Sequence, residues 1–239
     1  DAESLVKEAG LALKAGFHRL RIKMEPGGAD FEAIRAVRET FGPAVKIALD
    51  ANGQFTMRNV ARFWLLDTLD LTMIEQPLAW DDLSQHATLQ EVIKTPICLD
   101  ESITSLARVE DMARFNCGSI INLKPASVGG FTPALAIHDF CNEKNIPLWS
   151  GGRTSSGIGR AYNAAFATFP GYRLPSDLTA HGTFAVRDLV SETWSVDKTT
   201  HLEVPYKDPG LGITLDRDYI EQLTAKTRTL AGAPVAAVA

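Results

Sequence analysis

The sequence predicts an α/β fold, specifically a modified (β/α)8-type (TIM-like) barrel. Short apolar runs alternate along the chain with longer segments of helical periodicity, a pattern typical of a parallel sheet covered by helices. Three of the apolar runs end on a carboxylate, at Asp50, Glu75 and Asp100, so these runs recur every 25 residues. The length of 239 residues is also close to the ~250 residues of a typical barrel of this type.

The first elements are predicted from periodicity and from the positions of glycine and proline. Apolar residues recur at helical spacing over residues 3–14, and a glycine soon afterwards can end this helix. The run at 17–23 is predicted to be a strand, and the Glu-Pro-Gly-Gly sequence at 25–28 predicts a turn. An amphipathic helix at 31–41 and a strand at 45–49 are expected next.

The same alternation continues through the following part of the chain. Further strands are predicted where short apolar runs border polar, glycine or proline residues, at 71–75, 96–99, 120–123, 146–149 and 171–174. Helices are predicted between them from apolar residues at helical spacing, at 57–69, 83–93, 105–115, 129–142 and 156–166.

The predicted strands number seven, whereas a closed barrel of this type needs eight. Because the chain also opens on a helix, we expect this barrel to lack its first strand, which would lie upstream of Asp1. We expect the barrel to span residues 1–216, and residues 217–239 to form a C-terminal helix and a frayed tail. Beyond the barrel pattern the predicted elements are two short strands and this helix, at 193–196, 202–204 and 219–226.

Composition narrows the classes of partner. The net charge is −5 and no basic run occurs, which argues against nucleic acid or an anionic membrane surface. No apolar run approaches the ~20 residues that span a bilayer. Cys98, Cys117 and Cys141 lie far apart in the sequence and are expected to be core thiols in a reducing compartment. We therefore expect a cytoplasmic protein.

Three acids predict a metal site. Asp50, Glu75 and Asp100 end consecutive predicted strands, and the carboxyl ends of parallel strands meet at one rim of a barrel. Each acid alone is explained as well by a helix N-cap, but together they would repel one another unless a cation lay between them. Mg²⁺, with Mn²⁺ as a substitute, favours such oxygen ligands. Asn52 is expected to support this site by hydrogen bonding, whereas Glu101 is expected to point elsewhere.

Two lysines and an arginine are expected beside these acids. Arg21 and Lys23 lie two residues apart on one predicted strand and therefore share a face. Outward-facing cations would meet helices, so we expect both to face the barrel interior. A metal ion and Arg21 nearby would favour the neutral form of Lys23, which a base requires. Lys124 is expected from the opposite side, so that the two lysines address both faces of a carbon acid.

These residues stand in five motifs that follow one another along the chain. The motifs are Arg21-Ile22-Lys23, LDAN (49–52), IEQPL (74–78), LDES (99–102) and NLKP (122–125). In them the chain resembles the enolase superfamily, and within it the muconate-lactonizing-enzyme subgroup. Longer stretches are similar to the o-succinylbenzoate synthase / N-acylamino acid racemase branch, namely EQPLAWDDL (75–83), KTPICLDES (94–102) and SGGRTSSGIGRAYN (150–163).

The resemblance implies an activity and a role for each residue. Asp50, Glu75 and Asp100 would bind Mg²⁺, and Lys23 and Lys124 would form the acid/base pair. The shared step is abstraction of a proton α to a carboxylate, through an enediolate stabilised by the metal. The expected partner is a small-molecule carboxylate, either an N-acylamino acid (an N-succinylamino acid) or the precursor of o-succinylbenzoate. We expect a homo-oligomer.

The chain also departs from the branch. Arg21 replaces a lysine but keeps its positive charge. Gly151-Gly152-Arg153-Thr154-Ser155 stands where the branch has Gly-Gly-Met-(Ile/Leu)-Glu. We expect both glycines to allow close approach of the substrate, and Arg153 to pair with a second substrate carboxylate. Asp177 is the single acid where dipeptide epimerases have two.

Two alternative functions stay open. In one, Lys124 forms a Schiff base in a barrel aldolase. In the other, the barrel binds metal or a partner without turnover. We expect little or no activity from this chain alone, because the sequence offers no counterpart of the family's N-terminal capping domain.

Overall fold

The computed structural model describes residues 1–27, 31–178, 187–192, 196–197, 199–204 and 209–224. Within these ranges the strands are β1 (Arg19–Lys23), β2 (Lys46–Asp50), β3 (Met73–Glu75), β4 (Ile97–Leu99), β5 (Ile120–Asn122) and β6 (Leu148–Trp149). The α-helices are α1 (Ala2–Lys14), α2 (Phe31–Phe41), α3 (Val60–Leu66), α4 (Leu83–Val92), α5 (Leu106–Phe115), α6 (Phe131–Glu143), α7 (Gly157–Phe166) and α8 (Arg217–Leu223).

The six strands form one sheet in chain order, and every neighbouring pair is parallel. Each connection between consecutive strands contains an α-helix, as parallel pairing requires. The predicted α/β class is therefore confirmed as a partial TIM-like barrel. An eighth strand and a closed barrel are not seen in the part of the chain that the structure describes, and the absence of a first strand stays a prediction.

The predicted strand at 171–174 is wrong as an independent strand. The backbone N–H of Leu148 donates to the carbonyl of Gly171 at 3.1 Å, and the N–H of Arg173 donates back to Leu148 at 3.1 Å. This contact is an isolated bridge and not a continuous strand, because Pro175 has no N–H with which to extend it directly. Pairing resumes beyond the proline, where the N–H of Asp177 donates to the carbonyl of Ser150 at 2.8 Å.

Side chains alternate between the two faces of the sheet. One buried cluster contains the inward-facing residues Ala48, Met73, Cys98, Ile120 and Trp149. The strand residues between them belong to a second, larger cluster that also contains the apolar faces of the helices. Because both faces are covered, most positions of β2 to β6 are apolar, whereas β1 alternates the apolar Leu20 and Ile22 with cations. The barrel interior thus has an apolar floor, and the next inward positions toward the strand ends carry the polar residues.

The predicted helices as far as α7 begin and end within two residues of those observed, with one division. The helix predicted at 57–69 consists of α3 flanked by 3₁₀ turns at Met57–Asn59 and Asp67–Leu69. The Asp67 carboxylate accepts the backbone N–H groups of Lys94 and Thr95, so this end of α3 is tied to the next connection. Side-chain caps begin other helices, for example Asp82 at α4 and Ser105 at α5.

The C-terminal predictions are covered only in part. Residues 193–195 of one predicted strand lie outside the described residues, but Val196 forms an antiparallel bridge with Leu202. Helix α8 begins two residues before its predicted start, because Asp216 caps it. It ends at Leu223, whereas the predicted helix extended to residue 226. Residues 225–239, which include the predicted frayed tail, lie outside the described residues. Among the described helices, none has the length and apolar character needed to cross a membrane.

Candidate active site

The charged residues at the strand ends form a row along one rim of the sheet. Lys23 is paired in register with Asp50, and Asp50 with Glu75. Cys98 lies opposite Glu75, so Asp100 faces the same side two residues further on. Asp50 and Glu75 are fully buried and Asp100 is nearly so. The stagger between strands thus brings three carboxylates together above the apolar floor.

Arg21 links the acids of this row. Its guanidinium donates to Glu75 Oε2 at 2.8 Å, to Asp50 Oδ2 at 2.5 Å and to Asp177 Oδ2 at 3.2 Å. The guanidinium also lies over the ring of Trp149, 5.4 Å from its centroid. Burial lowers the pKa of Arg21, but the hydrogen bonds and charge of Glu75 outweigh it, and the pKa is raised overall. Arg21 is therefore a fixed positive charge inside the barrel.

Lys23 lies at the open end of the row. Its ammonium group contacts the Asp50 carboxylate and donates to Asn52 Oδ1 at 2.6 Å. The Asn52 amide in turn donates to Glu101 Oε1 at 2.9 Å. The prediction that Glu101 points elsewhere is wrong. Strict alternation ends with the strand, and the turn after Asp100 brings the Glu101 side chain back to the same cavity.

Lys124 lies at the other end of the row and pairs with Asp100, with Nζ 2.5 Å from Oδ2. Burial raises the pKa of Asp100 to about 7, aided by the negative charges of Glu75 and Glu101, while Lys124 acts in the opposite direction. Burial would also raise the pKa of Glu75, but hydrogen bonds from Arg21 and Asn122 lower it overall. The negative charge of Glu75 is thus well compensated by its neighbours, whereas that of Asp100 is compensated poorly.

Asn122 lies between these two carboxylates. Its Nδ2 donates to Glu75 Oε1 at 2.8 Å and to Asp100 Oδ2 at 3.2 Å, and its Oδ1 accepts the Gly151 N–H at 2.7 Å. Asn122 lies within the NLKP motif, but no role was predicted for it from the sequence. The signal was available, because Asn122 is two residues before Lys124 and shares its inward direction.

Two further residues at the site were missed. Gln76 has a positive φ of 38°, and its Oε1 accepts the backbone N–H groups of Asp100 and Ser102. It therefore fixes the turn that carries Asp100. Arg19 lies one inward position below Arg21, 4.7 Å from the centroid of the Trp149 ring. Its spacing of two residues from Arg21 could have predicted this, whereas nothing local predicted the conformation of Gln76.

A cavity of about 690 Å³ opens above the row. The predicted site residues that line it are Arg21, Lys23, Asn52, Lys124, Gly152, Arg153 and Asp177, together with Asp100. Arg153 is exposed and donates to Ser127 Oγ at 2.9 Å. Gly151 is buried behind Asn122 rather than at the cavity wall.

Comparisons with known proteins agree with this arrangement. Residues 4–219 match the family described as "Enolase C-terminal domain-like". The chain belongs to this family. It is 39% identical over 212 residues to an N-succinylamino acid racemase of Thermus thermophilus, and 37% identical over 224 residues to an o-succinylbenzoate synthase of Bacillus subtilis. The alignments cover 89% and 94% of this chain, but only 56% and 59% of those proteins.

A solved structure shows the same relationship for the fold. A member of the enolase superfamily from Listeria innocua has a TM-score of 0.86 and 35% identity, and the match covers 93% of this chain and 59% of that one. The predicted membership of the superfamily, and the likeness to its racemase and o-succinylbenzoate synthase branch, are confirmed. The chain spans less than two thirds of the length of these relatives.

The donor atoms of this enolase-family rim suit a divalent cation. Among the described residues, no group of three or more His, Cys, Asp or Glu side chains is already arranged to hold a metal ion. Arg21, Lys23 and Lys124 instead occupy carboxylate oxygens. Three buried carboxylates are nevertheless the oxygen donors that Mg²⁺ favours. Asp50, Glu75 and Asp100 would hold the ion.

Proposed function

We propose that residues 1–216 form the catalytic barrel of a Mg²⁺-dependent enzyme, with Mn²⁺ as a substitute, that abstracts a proton α to a carboxylate. The activity would be that of an N-acylamino acid (N-succinylamino acid) racemase, an o-succinylbenzoate synthase, or both. The observation that carries this proposal is that Lys23 and Lys124 line one cavity from the two ends of a row of three acids. The names of the relatives support the same two reactions. Cytoplasmic location and homo-oligomerisation stay predictions.

The two lysines would act on the α-carbon of a small carboxylate substrate. Bound Mg²⁺ supplies positive charge that stabilises the negative charge developing on the substrate carboxylate. In racemisation, the neutral amine of one lysine takes the α-proton, and the ammonium group of the other returns a proton to the opposite face. In the dehydration, Lys23 takes the α-proton and then protonates the leaving hydroxyl, so that water departs, while Lys124 stabilises the transient negative charge.

Isotope exchange tests the two-base arrangement. The chain would be fused to the part of the T. thermophilus racemase that it does not cover, and entry of solvent deuterium into each enantiomer of an N-succinylamino acid would be followed by NMR. Lys23→Ala should abolish exchange from one enantiomer and Lys124→Ala from the other. Either change should abolish racemisation, and Asp100→Asn should silence both faces. Lys144→Ala, at an exposed position, is the matched control.

Two results would count against the proposal. Equal loss of exchange from both enantiomers in each lysine variant would leave the two-base model without support. Reductive trapping of a carbonyl substrate on Lys124 by borohydride would favour the Schiff-base aldolase instead.

A further inference from the structure

We infer that Asn122 is a positioning residue that couples the carboxylates to the loop after β6 (residues 150–153). Through it, the affinity of the rim for a divalent cation depends on the conformation of a loop that also supplies Arg153 to the cavity. This inference rests on the proposed function, because it assumes that the carboxylates bind a cation. It concerns a residue that is only 2% exposed and that carries no charge.

The amide nitrogen of Asn122 holds two acids at once. Glu75 and Asp100 are buried neighbours that repel when both are ionised. Arg21 donates to Glu75, and Lys124 donates to Asp100. Among the described side chains, only Asn122 donates to both. Asn122 therefore sets the distance between the two carboxylates, because each of them accepts from the same amide nitrogen through one oxygen.

The amide oxygen fixes which way the side chain points. It accepts the Gly151 N–H at 2.7 Å, so a flipped amide would set oxygen against two carboxylates and nitrogen against an N–H group. The orientation of Asn122 thus follows from the loop backbone. Gly151 also forms a bridge with Asp177, which pairs with Arg21, so the loop is joined to the rim at a second point.

The absence of a side chain at Gly151 leaves the space that the Asn122 side chain occupies. A Cβ added at Gly151 would lie 2.4 Å from Asn122 Nδ2, too close for the side chain to stay in place. The Gly151 N–H donates to Asn122 and not to Glu75 or Asp100. The three heavy atoms nearest to this added Cβ all belong to Asn122, so Gly151→Ala should disturb Glu75 and Asp100 by displacing Asn122. A loss of cation affinity in Gly151→Ala would therefore report the positioning of the carboxylates by Asn122, because this change alters no candidate ligand.

Calorimetric titration of the 239-residue chain with Mn²⁺ tests the inference. Asn122→Ala should weaken binding about 10- to 100-fold, the range seen when a partner of a metal ligand is removed. Gly151→Ala should weaken it about tenfold by the same route. In the Asn122→Ala background, Gly151→Ala should have no further effect, because the side chain through which it acts is gone.

Gly118→Ala is the matched control. Gly118 precedes β5 at the end away from the rim, and an added Cβ would lie 3.2 Å from the Ile97 carbonyl. Urea unfolding without metal should show that this variant loses stability while its affinity for Mn²⁺ is unchanged. A purely structural role for Gly151 would give that same result. If Asn122→Ala does not fold, the comparison of Gly151→Ala with Gly118→Ala decides alone.

The outcomes separate this inference from the proposed function. Wild-type affinity in both Asn122→Ala and Gly151→Ala would overturn the coupling and leave the proposed function intact. Absence of Mn²⁺ binding by the wild-type chain would overturn both. Additive losses in the double variant would show that Gly151 acts by another route and would overturn the coupling.

Discussion

At the scale of single residues, the site is a problem of buried charge. Asp50, Glu75 and Asp100 have almost no contact with water, and ionised carboxylates in such surroundings require compensating charge. Arg21 supplies it to Glu75 and Asp50 through a planar fork of donors. Among the described residues, the cation that pairs with Asp100 is Lys124, which is itself buried and is also the proposed base. A divalent cation would relieve this imbalance more fully than a single ammonium group can.

The first residue-scale prediction concerns Glu75. Glu75→Gln removes one charge from the middle of the row and should weaken the binding of Mg²⁺ by more than about 100-fold, exceeding the loss from changing a second-layer partner. Calorimetric titration of the chain measures this loss, and Glu143→Gln at an exposed position is the control. Unchanged affinity would mean that the cation does not use the central carboxylate.

The second residue-scale prediction concerns Arg153. A guanidinium at the cavity wall should favour substrates with a second carboxylate, because a charged hydrogen bond contributes about 1.5–3 kcal/mol. In the fusion protein, Arg153→Met should lower the ratio of kcat/KM for N-succinyl over N-acetyl amino acids by about tenfold or more. Arg114→Met is the surface control. A ratio that does not change would remove Arg153 from substrate recognition.

At the scale of elements, periodicity predicted most of the fold and much of the site. The strand ends at Asp50 and Glu75 and the inward direction of Arg21 follow from a period of two. Residues beyond a strand end could not be placed in this way. Glu101 and Gln76 owe their positions to turns whose backbone is fixed by neighbouring loops. Residues 171–174 pair with Leu148 of β6, and this contact with another strand is not encoded in their own periodicity.

The loop after β3 provides the element-scale prediction. Leu78 donates its N–H to Nε2 of the buried His86 at 3.2 Å, while Nδ1 lies 2.6 Å from the Asp82 carbonyl. Neutral imidazole satisfies both contacts, but a protonated ring cannot accept from Leu78. Burial lowers the pKa of His86 from the usual 6.5. Below that pH the unfolded chain binds a proton that the folded chain refuses, so stability falls as pH falls through the folded pKa.

His86→Leu removes this proton linkage. The difference in unfolding free energy between wild type and this variant should be largest above pH 6.5 and should shrink on acidification by up to about 1.4 kcal/mol per pH unit. Urea titrations at pH 7.5 and 5.5 measure it. A difference that stays constant between the two pH values would show that folding does not lower the pKa of His86.

At the scale of the whole molecule, cation binding and catalytic turnover differ in how far water must be excluded from the site. The three candidate ligands and both lysines lie on β1 to β5 and the turns that follow these strands, so this chain carries all of them. The cavity above them is open, and the Lys23 side chain is 56% exposed. Water in such a site weakens every electrostatic interaction within it. Cation binding tolerates water better than proton transfer from a weakly acidic carbon does.

The last prediction compares this chain with its fusion to the part of the T. thermophilus racemase that it does not cover. Mn²⁺ affinity should agree within about threefold between the two proteins, because the candidate ligands are the same in both. Such a difference in binding free energy is smaller than the about 1.4 kcal/mol that corresponds to a tenfold change. Racemisation of an N-succinylamino acid should be measurable only in the fusion, where a closed cavity would exclude water. Lys124→Ala in the fusion is the control for residual activity of the added part. Equal turnover by the chain alone would show that the open cavity already suffices and that proton transfer here does not require exclusion of water.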